Sequence, residues 1–212
     1  MAKASGGTRK NMGNNKPTQT MIKGEYNNIQ KIIDSIAGIN DNEAFADSLG
    51  GYAFMHDISM PEAEALDALQ WYIRDSFLDN IGKEEQKLLK SVVEQSPNTY
   101  TSLYRGMRID KSEVSSFIDK IKIKKDLSLK DFTQKNREVI SVTDKKDSFW
   151  LNGSVNKGQV PLKISINGST RGLDLHKAGE QEVLISASTK VSIKSIIYNK
   201  KNGGYEIKLK RR

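Results

Sequence analysis

Pro97 divides the chain into two textures, and that division constrains the fold more than any other feature. Before it, apolar residues recur at three- and four-residue spacing; after it, β-branched and apolar residues come in short runs between turns. Over 25–37 the spacing of Ile29, Ile32, Ile33 and Ile36 predicts a first short helix that Gly38 can end. A further turn of helix is expected over 42–48, broken by Gly50-Gly51 ahead of Tyr52 and Phe54. The clearest helix has Ser59 as its cap, Pro61 in its first turn and Glu62 and Glu64 at its positive end. Its apolar side carries Ala65, Leu66, Leu69, Ile73 and Phe77, and Gly82 closes it. Leu88, Leu89, Val92 and Val93 give one more helix over 84–93.

Beyond Pro97, strands are predicted over 99–104, 139–143, 160–166, 182–185, 191–198 and 205–209, with a helix over 112–121. Gly203-Gly204 makes a hairpin of the last two strands. The order predicts an α+β fold: a helical N-terminal region over 21–98 and a β-rich, mostly antiparallel core over 99–212, in one domain. Residues 1–20 carry Lys3, Arg9, Lys10 and Lys16, no acid, and many Gly, Asn and Ser, and read as a disordered basic tail.

A chain of 212 residues is long enough to bury a core without covalent staples. It has no cysteine, which excludes disulfides, thiolate nucleophiles and zinc knuckles. The net charge of +8 admits nucleic-acid contact, but only eight of the 34 cations are arginine, so general solvation is the better reading. Lysines over 120–130 likewise read as a solvated connector. The sequence offers neither a membrane-spanning run nor an apolar leader core, and the expected location is the cytoplasm.

Two acids open the strand Glu180-Gln181-Glu182-Val183-Leu184-Ile185, and alternation puts Glu180 and Glu182 on one face. Paired carboxylates can divide two roles, one stabilising positive charge and one collecting a proton. The other acid pair, Glu62-Ala63-Glu64, is accounted for by its helix end. In Ser102-Leu103-Tyr104-Arg105-Gly106 an arginine ends a β-prone run, where it can fork onto phosphate, with a surface turn as the ordinary alternative. Ser141 and Thr143, in Val139-Ile140-Ser141-Val142-Thr143, share a strand face.

The order of these motifs, Arg-Gly on a strand, Ser-x-Thr on a strand, then Glu-x-Glu-Val-Leu-Ile, resembles the mono-ADP-ribosyltransferases of the arginine-serine-glutamate class over 100–208. Size and helical preface look most like the small transferases that tailed bacteriophages use on host proteins, with bacterial toxin catalytic domains similar too. The resemblance implies an ADP-ribosyltransferase-like β-sandwich core with NAD as a consumed co-substrate and no metal. It implies that Arg105 contacts the NAD phosphates, with Tyr104, Gly106, Ser141 and Thr143 beside the dinucleotide. Ser141 would order the glutamate and the nicotinamide ribose, and Glu182 would be the catalytic acid. Glu180 would position the acceptor, and glutamate there favours arginine on a target protein, since asparagine-modifying members usually carry glutamine. The family's middle motif is commonly Ser-Thr-Ser, so Val142 and Thr143 depart from it.

Phe149 and Trp150 would pack against the NAD site or in the core. The loop over 169–178, with Arg171, Asp174 and His176, is where the family recognises its acceptor, although an exposed loop histidine is the ordinary reading of His176. Two other functions fit the same sequence: an NAD glycohydrolase, or a noncatalytic basic binding protein, associated with a virion, whose tail meets DNA or anionic partners. Against the latter stand the lack of RNA-binding motifs, interleaved aromatics and zinc ligands.

Overall fold

The computed structural model describes residues 18–19, 25–36, 38–39, 41–75, 81–133, 137–146, 156–176 and 182–212. Four helices precede Pro97: α1 (Ile29–Ser35), α2 (Asn42–Met55), α3 (Met60–Asp75) and α4 (Lys83–Gln95). Asp41 caps α2 by accepting the Ala44 N–H at 2.8 Å. The helix then runs through Gly50-Gly51 to Met55, where a break is expected from the sequence. The reason is packing: Phe45, Ala46 and Leu49 are buried in one cluster with Leu66, Leu69 and Ile73 of α3. Tertiary contact thus overrides local propensity. At the start of α3 the Ser59 hydroxyl donates to Glu62 Oε2 at 2.9 Å, while Glu62 Oε1 accepts from Asn28 at 3.0 Å. Gly82, expected to close α3, is the N-cap residue of α4, and Phe77, expected on the apolar side of α3, lies outside the described residues.

A short strand β1 (Thr18–Gln19), within the stretch read as a tail, pairs with β2 (Asn98–Asp110). The rest of that tail lies outside the described residues. After β2 come α5 (Val114–Ile123), β3 (Leu127–Ser128), a 3-10 turn (Leu129–Phe132) and β4 (Val139–Val142). The chain continues as β5 (Gln159–Arg171), β6 (Leu173–Asp174), β7 (Val183–Ser186), β8 (Lys190–Asn199) and β9 (Gly204–Arg211). The lysine-rich stretch after α5 is more than a connector, because Ser128 and Asp131 form a capping box and Lys130 reaches Glu138 at 2.6 Å.

The strands form a six-stranded sheet, β1-β2-β5-β9-β8-β3, and a three-stranded sheet, β4-β7-β6. The expected β8·β9 hairpin is present. The core is mixed rather than uniformly antiparallel, since β5 and β9 run parallel, Leu162 opposite Tyr205 through Asn167 opposite Lys210. The chain passes from the large sheet to the small one at Gly172, where a side chain would overlap Val183 Cγ1. Ser96 secures that corner by donating to the Gly172 carbonyl at 2.7 Å.

The small sheet is the middle layer. On one side Val139, Leu173 and Leu184 join Leu49, Leu66, Leu69, Tyr72, Ile73 and Leu89 of the helices. On the other, Ile140, Val142, Val183 and Ile185 meet Leu103, Met107, Leu162, Ile164, Ile207 and Leu209 of the large sheet. All four residues of β7 are buried, which accounts for the unbroken apolar run after Glu182. An antiparallel bridge between Tyr104 and Thr143 ties the two sheets together.

Candidate active site

Ser141 lies opposite Leu184 in the β4·β7 register, so Glu182, two residues before Leu184, is its diagonal neighbour on the same face. The Ser141 hydroxyl donates to Glu182 Oε1 at 2.6 Å. That face looks toward the helices, and from α3 the Tyr72 hydroxyl donates to Glu182 Oε2 at 2.6 Å. Both carboxylate oxygens thus accept a short bond from a hydroxyl, which holds the side chain in one rotamer. Tyr72 is only 5% exposed, so its ring is part of the helical core and its hydroxyl is the part that reaches the site.

Arg105 stands in the middle of β2, not at a strand end, because pairing with β5 continues through Asp110 opposite Gln159. Its Nη1 donates to the Ser141 carbonyl at 2.6 Å. Its Nε is wholly enclosed and has no hydrogen-bond partner among the described residues. Burial pushes the guanidinium down to about 10, and the charge of nearby Arg137 adds to this, while Tyr72 and Glu182 act in the opposite direction. The group remains cationic at neutral pH. Arg137, just before β4, therefore brings a second guanidinium to the neighbourhood.

The other sequence candidates are placed differently. Thr143 accepts the Lys145 N–H on its hydroxyl at 3.1 Å and bonds through its backbone to Tyr104, so its side chain serves a local turn. Tyr104 alternates with Arg105 and faces the outer side of the large sheet, where it lines a cavity of about 260 Å³ with Lys163, Ser165 and Lys208. Gly106 is a strand residue opposite Lys163. Glu180, Phe149 and Trp150 lie outside the described residues. Arg171 donates to the Ser96 carbonyl at 3.0 Å and so braces the sheet corner. His176 is not a solvent-exposed loop residue: its side chain is 10% exposed and lies between Asp174 and Asp144.

Sequence reading missed Tyr72 and Arg137. Tyr72 had a signal: a tyrosine one turn after Leu69 on a buried helix face has a hydroxyl that needs a partner. Arg137 had none, because nothing in its neighbours places it near Arg105.

A layered α+β fold carrying a hydroxyl-braced carboxylate beside a partly buried arginine is the class these observations define. No family model matches the chain, and no curated protein matches it. Solved structures it is similar to include several ADP-ribosyltransferases. One is HopU1 of Pseudomonas syringae pv. Tomato, at 15% identity and a TM-score of 0.42, covering 78% of this chain; the chain spans 65% of that structure's length. Another is an ADP-ribosyltransferase of Clostridium botulinum, at 15% identity and a TM-score of 0.44, covering 79% of this chain and 94% of the other. A third is the Vis toxin of Vibrio splendidus, at 16% identity and a TM-score of 0.42, covering 87% and 82%. Among the described residues no helix is long and apolar enough to cross a membrane.

Proposed function

We propose that this protein is a mono-ADP-ribosyltransferase that transfers ADP-ribose from NAD to a protein side chain, arginine being the favoured acceptor, with release of nicotinamide. The observation that carries the reading is the Glu182 carboxylate, gripped on both oxygens by Ser141 and Tyr72 next to the Arg105 guanidinium. The enclosed Nε of Arg105, which lacks a protein partner among the described residues, suits a ligand that brings phosphate oxygens. NAD supplies both a pyrophosphate for Arg105 and Arg137 and ribose hydroxyls for the carboxylate.

In this mechanism the bond between the ribose anomeric carbon and the nicotinamide nitrogen breaks, and the electron pair leaves with nicotinamide. Positive charge grows on the ribose, and Glu182 stabilises it while accepting a hydrogen bond from a ribose hydroxyl. Ser141 and Tyr72 keep the carboxylate aimed, so no reorganisation is needed as the charge develops. The acceptor guanidinium then bonds to the anomeric carbon, and Glu180 orients it and collects the proton it loses.

The test is incubation with labelled NAD and a bacterial lysate, following both labelled protein and free nicotinamide. The wild type labels protein, and mass spectrometry places the modification on arginine. Glu182→Ala loses both activities by about 100-fold or more, the usual scale for removing one electrostatic stabiliser. Glu180→Ala keeps nicotinamide release and loses labelling. Nicotinamide release without labelling by the wild type would make the protein an NAD glycohydrolase, and full activity in Glu182→Ala would refute the mechanism.

A further inference from the structure

Three segments meet at His176, beyond the residues the proposed mechanism uses. Its Nδ1 lies 2.6 Å from Asp174 Oδ1 on β6, and its Nε2 lies 3.0 Å from Asp144 Oδ1, three residues beyond Ser141. The His176 backbone N–H also donates to Asp174 Oδ1, at 2.8 Å. Two carboxylates facing the two ring nitrogens require a donor at each nitrogen, which only the imidazolium provides. The neighbouring residue Leu175 donates its N–H to the Glu182 carbonyl at 3.1 Å, so the ring sits one residue from the backbone of the reactive acid. Asp144 is joined on its other side to Thr143, whose backbone forms the bridge to Tyr104.

The clamp is anchored to the helical layer as well. Gln30 of α1, 2% exposed, pairs its side-chain amide with the backbone of Asp174: Oε1 accepts the Asp174 N–H at 2.9 Å and Nε2 donates to the Asp174 carbonyl at 3.2 Å. A glutamine amide thus acts as one more rung on the edge of β6. Among the described residues, titratable groups around the ring include Asp144, Asp174, the buried Tyr100 of β2 and, through Gln30, Asp34 of α1.

We propose that His176 is a positioning residue: as an imidazolium clamped between Asp144 and Asp174, it holds the strand of Ser141 and the backbone of Glu182 together, and donor cleavage depends on it staying protonated. This rests on the transferase reading for its catalytic consequence, but not for the clamp itself. Burial opposes the charged ring, yet the bonds to Asp144 and Asp174 outweigh it and push His176 up to about 9. The site therefore keeps its clamp across the neutral range and releases it in alkali. A histidine with one carboxylate would release it nearer neutrality.

The experiment compares wild type with Asp144→Asn by two readouts. In the first, nuclear magnetic resonance follows the His176 ring and the Glu182 backbone amide through a pH titration. Wild-type His176 is expected to titrate near 9, with the Glu182 amide moving on the same curve. In Asp144→Asn both shift down together by about one pH unit or more. In the second, the alkaline limb of nicotinamide release moves down by the same amount, while at low pH the variant stays within about threefold of wild type. Titration of wild-type His176 near its ordinary 6.5, a Glu182 amide that ignores it, or an unmoved limb in an active variant each overturns the proposal. Absence of nicotinamide release by wild type at every pH would instead refute the transferase reading, and the resonance titration would still decide the clamp.

Discussion

Replacing Tyr72 by phenylalanine removes one oxygen and keeps the ring. Because the ring is 5% exposed among Leu69, Ile73 and Leu184, phenylalanine fills the same space and the helical layer stays packed. What disappears is the 2.6 Å bond to Glu182 Oε2, leaving the carboxylate held by Ser141 alone and free to rotate about that contact. A hydrogen bond to a charged group is worth about 1.5–3 kcal/mol, and partial exposure of Glu182 lets water recover part of it. A loss of about 1.5 kcal/mol in transition-state stabilisation corresponds to roughly tenfold in rate. The expected result is a kcat for nicotinamide release about tenfold below wild type, a KM for NAD within about twofold, and a stability loss near 1 kcal/mol by urea unfolding. Ser141→Ala removes the other anchor, and the double variant is expected to lose less than the sum of the two, because once one bond is gone the carboxylate is already misplaced. Wild-type kcat in Tyr72→Phe, or a change confined to KM, would refute the idea that the helical half serves catalysis through this hydroxyl.

Three further outcomes follow from the same contacts. Stability depends on His176: its folded value of about 9 lies above the ordinary 6.5, so its contribution is complete below about pH 6.5 and is lost as the pH rises through about 9. The difference is on the order of 3 kcal/mol, read from urea midpoints at about pH 6 and pH 10, and unchanged midpoints in that window would contradict the buried imidazolium. Gly172→Ala puts a methyl group onto Val183 Cγ1 at the corner between the sheets, and is expected to cost about 1–3 kcal/mol and to depress nicotinamide release by displacing β7 and Glu182. Arg105→Lys retains a positive charge but loses the fork, so the affinity for NAD measured by calorimetry should fall about tenfold or more; undiminished affinity would remove Arg105 from the donor site.

The sequence alone determined most of the helices and the longer strands, because periodicities of 3.6 and 2 are local properties written in Ile29 to Ile36, Ala65 to Ile73 and Val191 to Tyr198, but it did not mark the two-residue strands β1, β3 and β6. It also indicated Arg105, Ser141 and Glu182, through the order of three motifs, and these are the candidates that the fold brings into one hydrogen-bonded group. Local pattern failed where a neighbour distant in the chain decided the matter. Gly50-Gly51 reads as a break until Phe45, Ala46 and Leu49 are seen packed on α3, and Arg105 reads as a strand end until the full length of β5 pairs beyond it. The parallel pairing of β5 with β9 is a choice between partners that alternation does not record. Only the tertiary structure could set Tyr72 on Glu182, 110 residues apart in sequence, and bury His176 between two aspartates. The physical reason is the same in each case: a polar tip on a buried face must be satisfied, but the chain that satisfies it is chosen by how layers stack, and stacking is fixed by the whole set of apolar faces at once.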